Sequence, residues 1–171
     1  MKKQQIAYIS IGSNLGNREK YLQTARSGLN KIKGIEILRE SSELENKALL
    51  FEDQPEFLNQ IVEVETVLTP DELLAKLKEI ETAIGRSKTF RYGPREIDLD
   101  IITYGKIRMR SESLTLPHPG LYDRPYLIKL LEDFSLSPDD ILPVPLKSRY
   151  KGIRTFAVNL KKVFVYGKEN G

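Results

Sequence analysis

The chain has 171 residues, and its 27 Lys and Arg against 24 Asp and Glu leave a surplus of three positive charges although 30% of residues are charged. This length fits one domain that can bury a sizeable core without cross-links. The absence of cysteine excludes disulfides, thiolate zinc sites, iron–sulfur clusters and a cysteine nucleophile, and a single histidine, His118, excludes multi-histidine metal sites. A divalent metal bound here would sit mainly on carboxylate or carbonyl oxygen, which suits magnesium. The polar-interrupted N-terminus is neither a signal peptide nor a membrane anchor, so a cytoplasmic protein is expected. No repeat or linker divides the chain, which reads as one domain over 1–171 with a tail of unassigned role after about Leu146.

In chain order, Ile6 to Ile11 reads as a buried strand that stops at the turn cluster Gly12-Ser13-Asn14. Asn17 can cap a helix whose apolar positions Tyr21, Leu22, Ala25, Leu29 and Ile32 recur at three and four, with Gly34 ending it. Ile35 to Leu38 and residues 57–68 read as the next two strands. Thr69-Pro70-Asp71-Glu72 is a capping box with proline at the first helical position, and Leu73, Leu77, Ile80 and Ile84 form the stripe of the helix that follows. Ile97 to Tyr104 alternates as a strand, and the segment after Pro125 has helical spacing that Pro138 closes. The order β-α-β-β-α-β-α predicts an α+β fold, a ferredoxin-like sandwich with a mostly antiparallel sheet and helices packed on one face. The tail sequence over 154–167 fits a hairpin or a helix equally.

Within the last of these strands, Asp98 and Asp100 are two apart and point to one face, while Ile97, Leu99 and Ile101 point to the other. A solvated edge strand would give the same pattern, but a bridging divalent cation would relieve the repulsion between two such carboxylates. Immediately upstream, Arg86, Lys88, Arg91 and Arg95 fall within ten residues that hold Gly85 beside them, Gly93 and Pro94 inside them, and no acid. Alone this is a solvated basic loop; with the aspartates it becomes a polyphosphate–metal constellation of balanced charge. Nucleotide signatures such as GxxxxGK[ST] and GxGxxG are absent. His118 lies between Pro117 and Pro119, with Arg124 and Tyr126 downstream, and is either a preset donor or a turn histidine satisfied locally. Phe57 and Asn59, two apart in a strand, offer a ring for stacking and an amide for edge recognition of a planar heterocycle. An RNA-binding module and a different magnesium-dependent phosphoryl or nucleotidyl transferase are the competing readings at this point.

The segment Arg91-Tyr92-Gly93-Pro94-Arg95-Glu96-Ile97-Asp98-Leu99-Asp100-Ile101-Ile102 resembles the 6-hydroxymethyl-7,8-dihydropterin pyrophosphokinases of folate biosynthesis. Gly12-Ser13-Asn14-Leu15-Gly16, Asp53-Gln54-Pro55-Glu56-Phe57-Leu58-Asn59 and Leu116-Pro117-His118-Pro119 support the likeness, which runs from about Ile6 to Pro143. The resemblance implies a ferredoxin-like α+β sandwich and transfer of diphosphate from ATP to the hydroxymethyl oxygen of the pterin, with AMP leaving. It implies that Asp98 and Asp100 hold two magnesium ions, and that Arg86 and Arg95 act catalytically with them. Lys88, Arg91, Tyr92, His118 and Arg124 take ATP-binding positions. Asn46, Phe57, Asn59 and Tyr126 take pterin-binding positions, Phe57 and Tyr126 as the pair around the ring. Tyr92 replaces the family's usual tryptophan, and Ser41-Ser42-Glu43-Leu44-Glu45-Asn46 followed by Lys47-Ala48-Leu49-Leu50 departs from its second pterin loop. Small-molecule substrates, no nucleic acid, no membrane and a monomeric state complete the expectation.

Overall fold

Strand β1 (Gln5–Ser13) is the axis on which the other elements are hung, because its apolar residues alternate and both of its edges are paired. In the computed structural model, which describes residues 2–142, β2 (Ile35–Glu40), β3 (Leu44–Asn46), β4 (Phe57–Thr66) and β5 (Asp98–Tyr104) build one sheet with β1. Its order is β2-β4-β1-β5, with β3 added to β4, and every neighbouring pair is antiparallel. The helices α1 (Arg18–Asn30) and α2 (Pro70–Ile84) make the two crossovers, so the topology is the ferredoxin-like α+β arrangement. The expectations for the tail, and the part of the single-domain reading that includes it, lie outside the described residues.

Ala7, Ile9 and Ile11 of β1, Val62 and Val64 of β4, and Leu99 and Ile101 of β5 face α1 and α2, where they meet fully buried Leu22, Ala25, Leu29, Leu73 and Leu77. Truncating any one of the leucines to alanine would cost about 2–5 kcal/mol. Asn17 caps α1 by accepting the Lys20 N–H, and the Thr69–Glu72 capping box closes in both directions on α2. A cap of this kind contributes about 1 kcal/mol. Gly85 ends α2 with φ of 98°, a left-handed conformation that glycine takes without strain.

Two expectations change here. Helices are not confined to one face: α3 (Pro125–Glu132) covers part of the opposite face, where Ile61 and Ile102 pack against Leu121, Leu127, Leu130, Leu131 and Phe134. Strands β4 and β5 are therefore buried on both faces along part of their length, which explains the unbroken apolar character around Ile61-Val62 and Ile101-Ile102. Pro138 opens a further short helix, α4 (Pro138–Ile141), while α3 has already ended at Glu132. Smaller differences have local causes. β1 runs on through Gly12 and Ser13 because β4 pairs with it that far, and Ile32 follows α1 in the turn that Gly34 completes. The hairpin of β6 (Met109–Arg110) and β7 (Thr115–Leu116) and a 3-10 turn at Pro119–Tyr122 had no clear periodicity to announce them. No described helix is long and apolar enough to cross a membrane.

The second face also carries a charged tie. Arg39 on β2 grips Glu63 on β4 with two bonds, Nε to Oε1 at 2.9 Å and Nη2 to Oε2 at 2.7 Å, and the Tyr8 hydroxyl donates to the same carboxylate. The Arg39 guanidinium lies 5.2 Å from the centroid of Phe134, which in turn meets Tyr8 edge-on. The bonds from Arg39 hold the Glu63 pKa below its ordinary value, and burial with the adjacent Glu63 pushes Tyr8 up to about 12. A depressed carboxylate pKa stabilises the fold above the unfolded-state value of about 4.3 and loses that contribution as pH falls through the lower folded value. Glu63→Gln is therefore expected to lower the thermal midpoint at pH 7, with the gap to the unsubstituted protein narrowing as the pH drops below about 4; melting curves over that range check it.

Candidate active site

Beyond the edge of α3 the second face of the sheet is open, and the polar residues of the strands emerge there. Register decides which ones. Gly12 of β1 stands opposite Asn59 of β4 on one side and Asp98 of β5 on the other, and Ser10 stands opposite Asp100. Phe57, Asn59, Asp98 and Asp100 consequently share one face, two residues along their strands from buried Ile61 and Ile102. They line a cavity of about 790 Å³. All thirteen residues singled out from the sequence border it: Arg86, Lys88, Arg91, Tyr92 and Arg95 from the basic loop; Asp98 and Asp100 from β5; His118, Arg124 and Tyr126 beside the outer strand; and Asn46, Phe57 and Asn59 at the other end.

At the charged end, Asp98 is held between two arginines, Arg86 Nη1 at 2.9 Å and Arg95 Nη1 at 3.1 Å. Asp100 has looser company, with His118 Nε2 and Arg124 Nη1 each 3.9 Å from its Oδ2. Burial, and then the charge of Asp98, raise the Asp100 pKa above the usual carboxylate range. His118 accepts the Gly120 N–H at Nδ1, so its neutral ring carries the proton on Nε2, toward Asp100. Burial and the nearby Arg124 lower its pKa to about 4. The two readings of His118 from sequence are thus compatible: the local hydrogen bond is what fixes the tautomer that faces the cavity.

The described residues contain no cluster of three acidic or histidine side chains that could enclose a metal. Asp98 and Asp100 nevertheless fit magnesium, which is commonly held by one or two carboxylates with phosphate and water completing its shell. Burial first and the neighbouring Asp98 second raise the Asp100 pKa, and a bound cation would offset both penalties on its charged form.

At the other end the amides are locked together. Asn59 Nδ2 donates to Asn46 Oδ1 at 2.5 Å, and Asn46 Nδ2 donates to the Lys47 carbonyl at 2.9 Å. Both side chains are buried among the polar groups of the cleft. Gly12 leaves room for them: a Cβ there would lie 2.6 Å from Asn59 Oδ1. Asn46 lies in strand β3, where the resemblance implies a loop, and the three residues of β3 pair with Phe57, Leu58 and Asn59.

Further residues beyond those thirteen support the site. Glu81 on α2 is 3% exposed, takes the Leu99 N–H on Oε1 at 2.8 Å and meets Arg86 Nη1 on Oε2 at 2.7 Å. It ties the basic loop to the strand of the aspartates. The signal was present, since a glutamate at 81 falls four residues after Leu77 on the apolar stripe. Lys78 and Thr82, one turn away or adjacent, also line the cavity. Asn14, 1% exposed, donates Nδ2 to Gln54 Oε1 and the Pro55 carbonyl and accepts the Arg95 N–H on Oδ1. That pairing spans 81 residues of sequence and has no local signature.

Residues 8–135 match the family model for 7,8-dihydro-6-hydroxymethylpterin-pyrophosphokinase (HPPK). The chain is 40% identical over 128 residues to the 2-amino-4-hydroxy-6-hydroxymethyldihydropteridine pyrophosphokinase of Bacillus subtilis, covering 75% of this chain and 77% of that protein. The enzyme of the same name from Aquifex aeolicus is 40% identical over 144 residues, 82% of this chain and 87% of the other. The folic acid synthesis protein fol1 of Schizosaccharomyces pombe is 44% identical over 141 residues, but the chain spans only 19% of its length. The wild-type HPPK-DHPS of Plasmodium falciparum, solved with pterin and p-hydroxybenzoate, superposes with a TM-score of 0.65 at 15% identity, covering 94% of this chain and 44% of that one, a likeness of fold. By the match of the model over most of the chain and by relatives of similar length, the chain belongs to the 7,8-dihydro-6-hydroxymethylpterin-pyrophosphokinase family.

Proposed function

We propose that the chain transfers diphosphate from ATP to the hydroxymethyl group of 6-hydroxymethyl-7,8-dihydropterin and releases AMP, acting in folate biosynthesis as a cytoplasmic monomer. The observation that carries this reading is a single cavity with a carboxylate pair and arginines at one end and a locked pair of asparagines with Phe57 and Tyr126 at the other. A polyphosphate suits the first end and a flat heterocycle rich in donors and acceptors the second.

In this reading Asp98 and Asp100 would hold magnesium, two ions being expected, which when bound would supply charge neutralisation of the triphosphate and Lewis-acid polarisation of a phosphoryl group. The hydroxymethyl oxygen bonds to the β-phosphorus, and the bond from that phosphorus to the α,β-bridging oxygen breaks, so AMP leaves with the bridging oxygen. The hydroxyl proton is expected on Asp98 or Asp100. Arg86 and Arg95 pair with Asp98 and so stand at the end of the cavity assigned to the phosphates. They stabilise the charge that collects on the departing AMP. Lys88, Arg91, Tyr92, His118 and Arg124 contribute to ATP binding, with the Nε2–H of His118 as a neutral donor. Asn46 and Asn59 read the edge of the pterin ring, and Phe57 and Tyr126 line its faces.

Chromatography of nucleotides after incubation tests the reaction class: AMP should form from ATP only when both 6-hydroxymethyl-7,8-dihydropterin and magnesium are supplied, and ADP or no product would reject the proposal. Asp98→Ala and Asp100→Ala should each lower kcat by roughly a thousand-fold, while pterin affinity in a binding titration stays within a few-fold; near-normal turnover would remove the aspartates from the mechanism. Gly12→Ala should force the Asn59 amide aside and raise KM for the pterin roughly ten-fold with a smaller change in kcat. Steady-state kinetics in each substrate separates these outcomes.

A further inference from the structure

Asn46 closes the pair of amides at one end of the cleft, and it stands on a strand of only three residues. So short a strand has little register preference of its own. Yet the register decides whether the pair can form. As the strands lie, Leu44 is opposite Asn59 and Asn46 opposite Phe57, so the two asparagines are diagonal neighbours on the cavity face. A slip of one residue would turn Asn46 to the other face and bring Glu45 round in its place. A slip of two would keep the face but carry the amide roughly 7 Å along the strand, out of reach of Asn59.

The groups that hold this register lie behind the sheet. β2 pairs with β4 as far as Glu40 opposite Val62, β3 begins at Leu44 opposite Asn59, and residues 41–43 step across the gap between them. Buried Ser41 fills that gap: its N–H donates to the Ile61 carbonyl at 2.9 Å, and its Oγ accepts the Ile61 N–H at 2.8 Å. Gln60, 4% exposed, donates Nε2 to the Ser41 carbonyl at 2.9 Å and accepts Arg26 Nη1 of α1 on Oε1 at 2.6 Å. The same guanidinium meets Glu40 Oε2 at 3.5 Å and Glu43 Oε1 at 3.4 Å, the residues on either side of the step. Two turns earlier on α1, Arg18 places Nη2 2.6 Å from Glu45 Oε1 and donates Nη1 to the Glu56 carbonyl at 2.8 Å. From the other face of the sheet, Asp133 accepts the N–H and the hydroxyl of Ser42 at 2.8 and 2.7 Å.

We propose that Arg18 and Arg26 of α1 are positioning residues for the heterocycle end of the cleft, acting through β3, which they hold in the one register that sets Asn46 against Asn59. The identity of the heterocycle rests on the functional reading above. Neither arginine borders the cavity, so any effect on a ligand passes through the strand. An isolated surface ion pair would be too weak for this task. Here each guanidinium bridges two segments at once: Arg18 joins the middle of β3 to the residue before β4, and Arg26 joins the step to the side chain of Gln60 in β4. A slip in either direction would break both bridges together, and the planar fork of arginine is what lets one side chain hold two oxygens.

The test is a mutant cycle read in binding, on the full chain. Calorimetry measures the affinity for oxidised 6-hydroxymethylpterin and, separately, for the α,β-methylene analogue of ATP with magnesium, in the unsubstituted chain, Arg18→Ala, Arg26→Ala, Asn46→Ala, and each arginine variant combined with Asn46→Ala. Each arginine variant should bind the pterin about three- to ten-fold more weakly and the nucleotide within about two-fold of the unsubstituted chain. In the Asn46→Ala background the same substitutions should change pterin affinity by less than about two-fold, since the amide they position is gone. A merely structural role would weaken both ligands, or would persist in full without Asn46. Where an alanine variant does not fold, Glu45→Ala and Glu43→Ala remove the exposed partners of the same bridges and are judged by the same comparison. Undiminished pterin affinity in the variants, equal weakening of the nucleotide, or additive losses with Asn46→Ala would overturn the positioning role alone. Failure of the unsubstituted chain to bind either ligand would overturn the functional reading and this role with it.

Discussion

Strand pairing at Gly12 fixes the dimensions of the cleft. That residue lies between Asn59 and Asp98 in neighbouring strands, so the amide end and the carboxylate end are separated by two interstrand spacings, roughly 10 Å. In the proposed function a heterocycle at Asn59 and a phosphate chain near Asp98 would then meet over the central strand, and no loop movement can alter that separation. The same strand must present a bare backbone at this point, because Asn59 leans over it. A side chain here would act on recognition through its neighbour, without touching the ligand. The fold's most central strand and the site's spacing are thus one constraint.

Charge is arranged with the same economy. A surplus of three on the whole chain gives a weak global field, but four cations over residues 86–95 face two acids at 98 and 100. The geometry keeps the two sets from simply cancelling. Asp98 is paired with Arg86 and Arg95, whereas Asp100 keeps only distant partners and an elevated pKa. Glu81 supplies Arg86 with a second anion and anchors it against α2, so the guanidinium is shared between helix and strand instead of being consumed by Asp98. Arginine offers several donors in one plane, and that shared pairing leaves the group close to where phosphate charge would develop.

Much of this was legible in the sequence where physics is local. The capping box and stripe of α2, the turn signal at Gly85 and the same-face spacing of Asp98 and Asp100 all follow from neighbours a few residues apart. The resemblance in four motifs then selected residues for the cleft that periodicity alone would have left as polar surface. What escaped has a common cause. The placement of α3 on the opposite face depends on which side of the sheet remains uncovered, and its amphipathic pattern does not record that. Asn14 is meaningful only through Gln54, Pro55 and Arg95, which the fold brings to it from 40 to 81 residues away. Glu81 stands on the apolar stripe of α2, but its partner, the Leu99 amide, is supplied only by β5 lying against the helix.

The division of labour between strands and loops follows from the second core. Two residues beyond Asn59 and Asp100, the same strands carry Ile61 and Ile102 into packing with α3, so the side chains that define the ends of the site are mounted on backbone buried from both sides. Elements held in this way keep functional groups within small tolerances. The arginines that answer changing charge are instead mounted mainly on a loop, with only their anchors, Glu81 and Asp98, on regular elements. The proposed diphosphate transfer would move negative charge from the attacking hydroxymethyl oxygen toward the α,β-bridging oxygen that leaves with AMP. A fixed anionic floor with a basic roof able to follow that charge meets this demand, whereas the reverse arrangement would place the mobile groups where the spacing set by Gly12 must be kept.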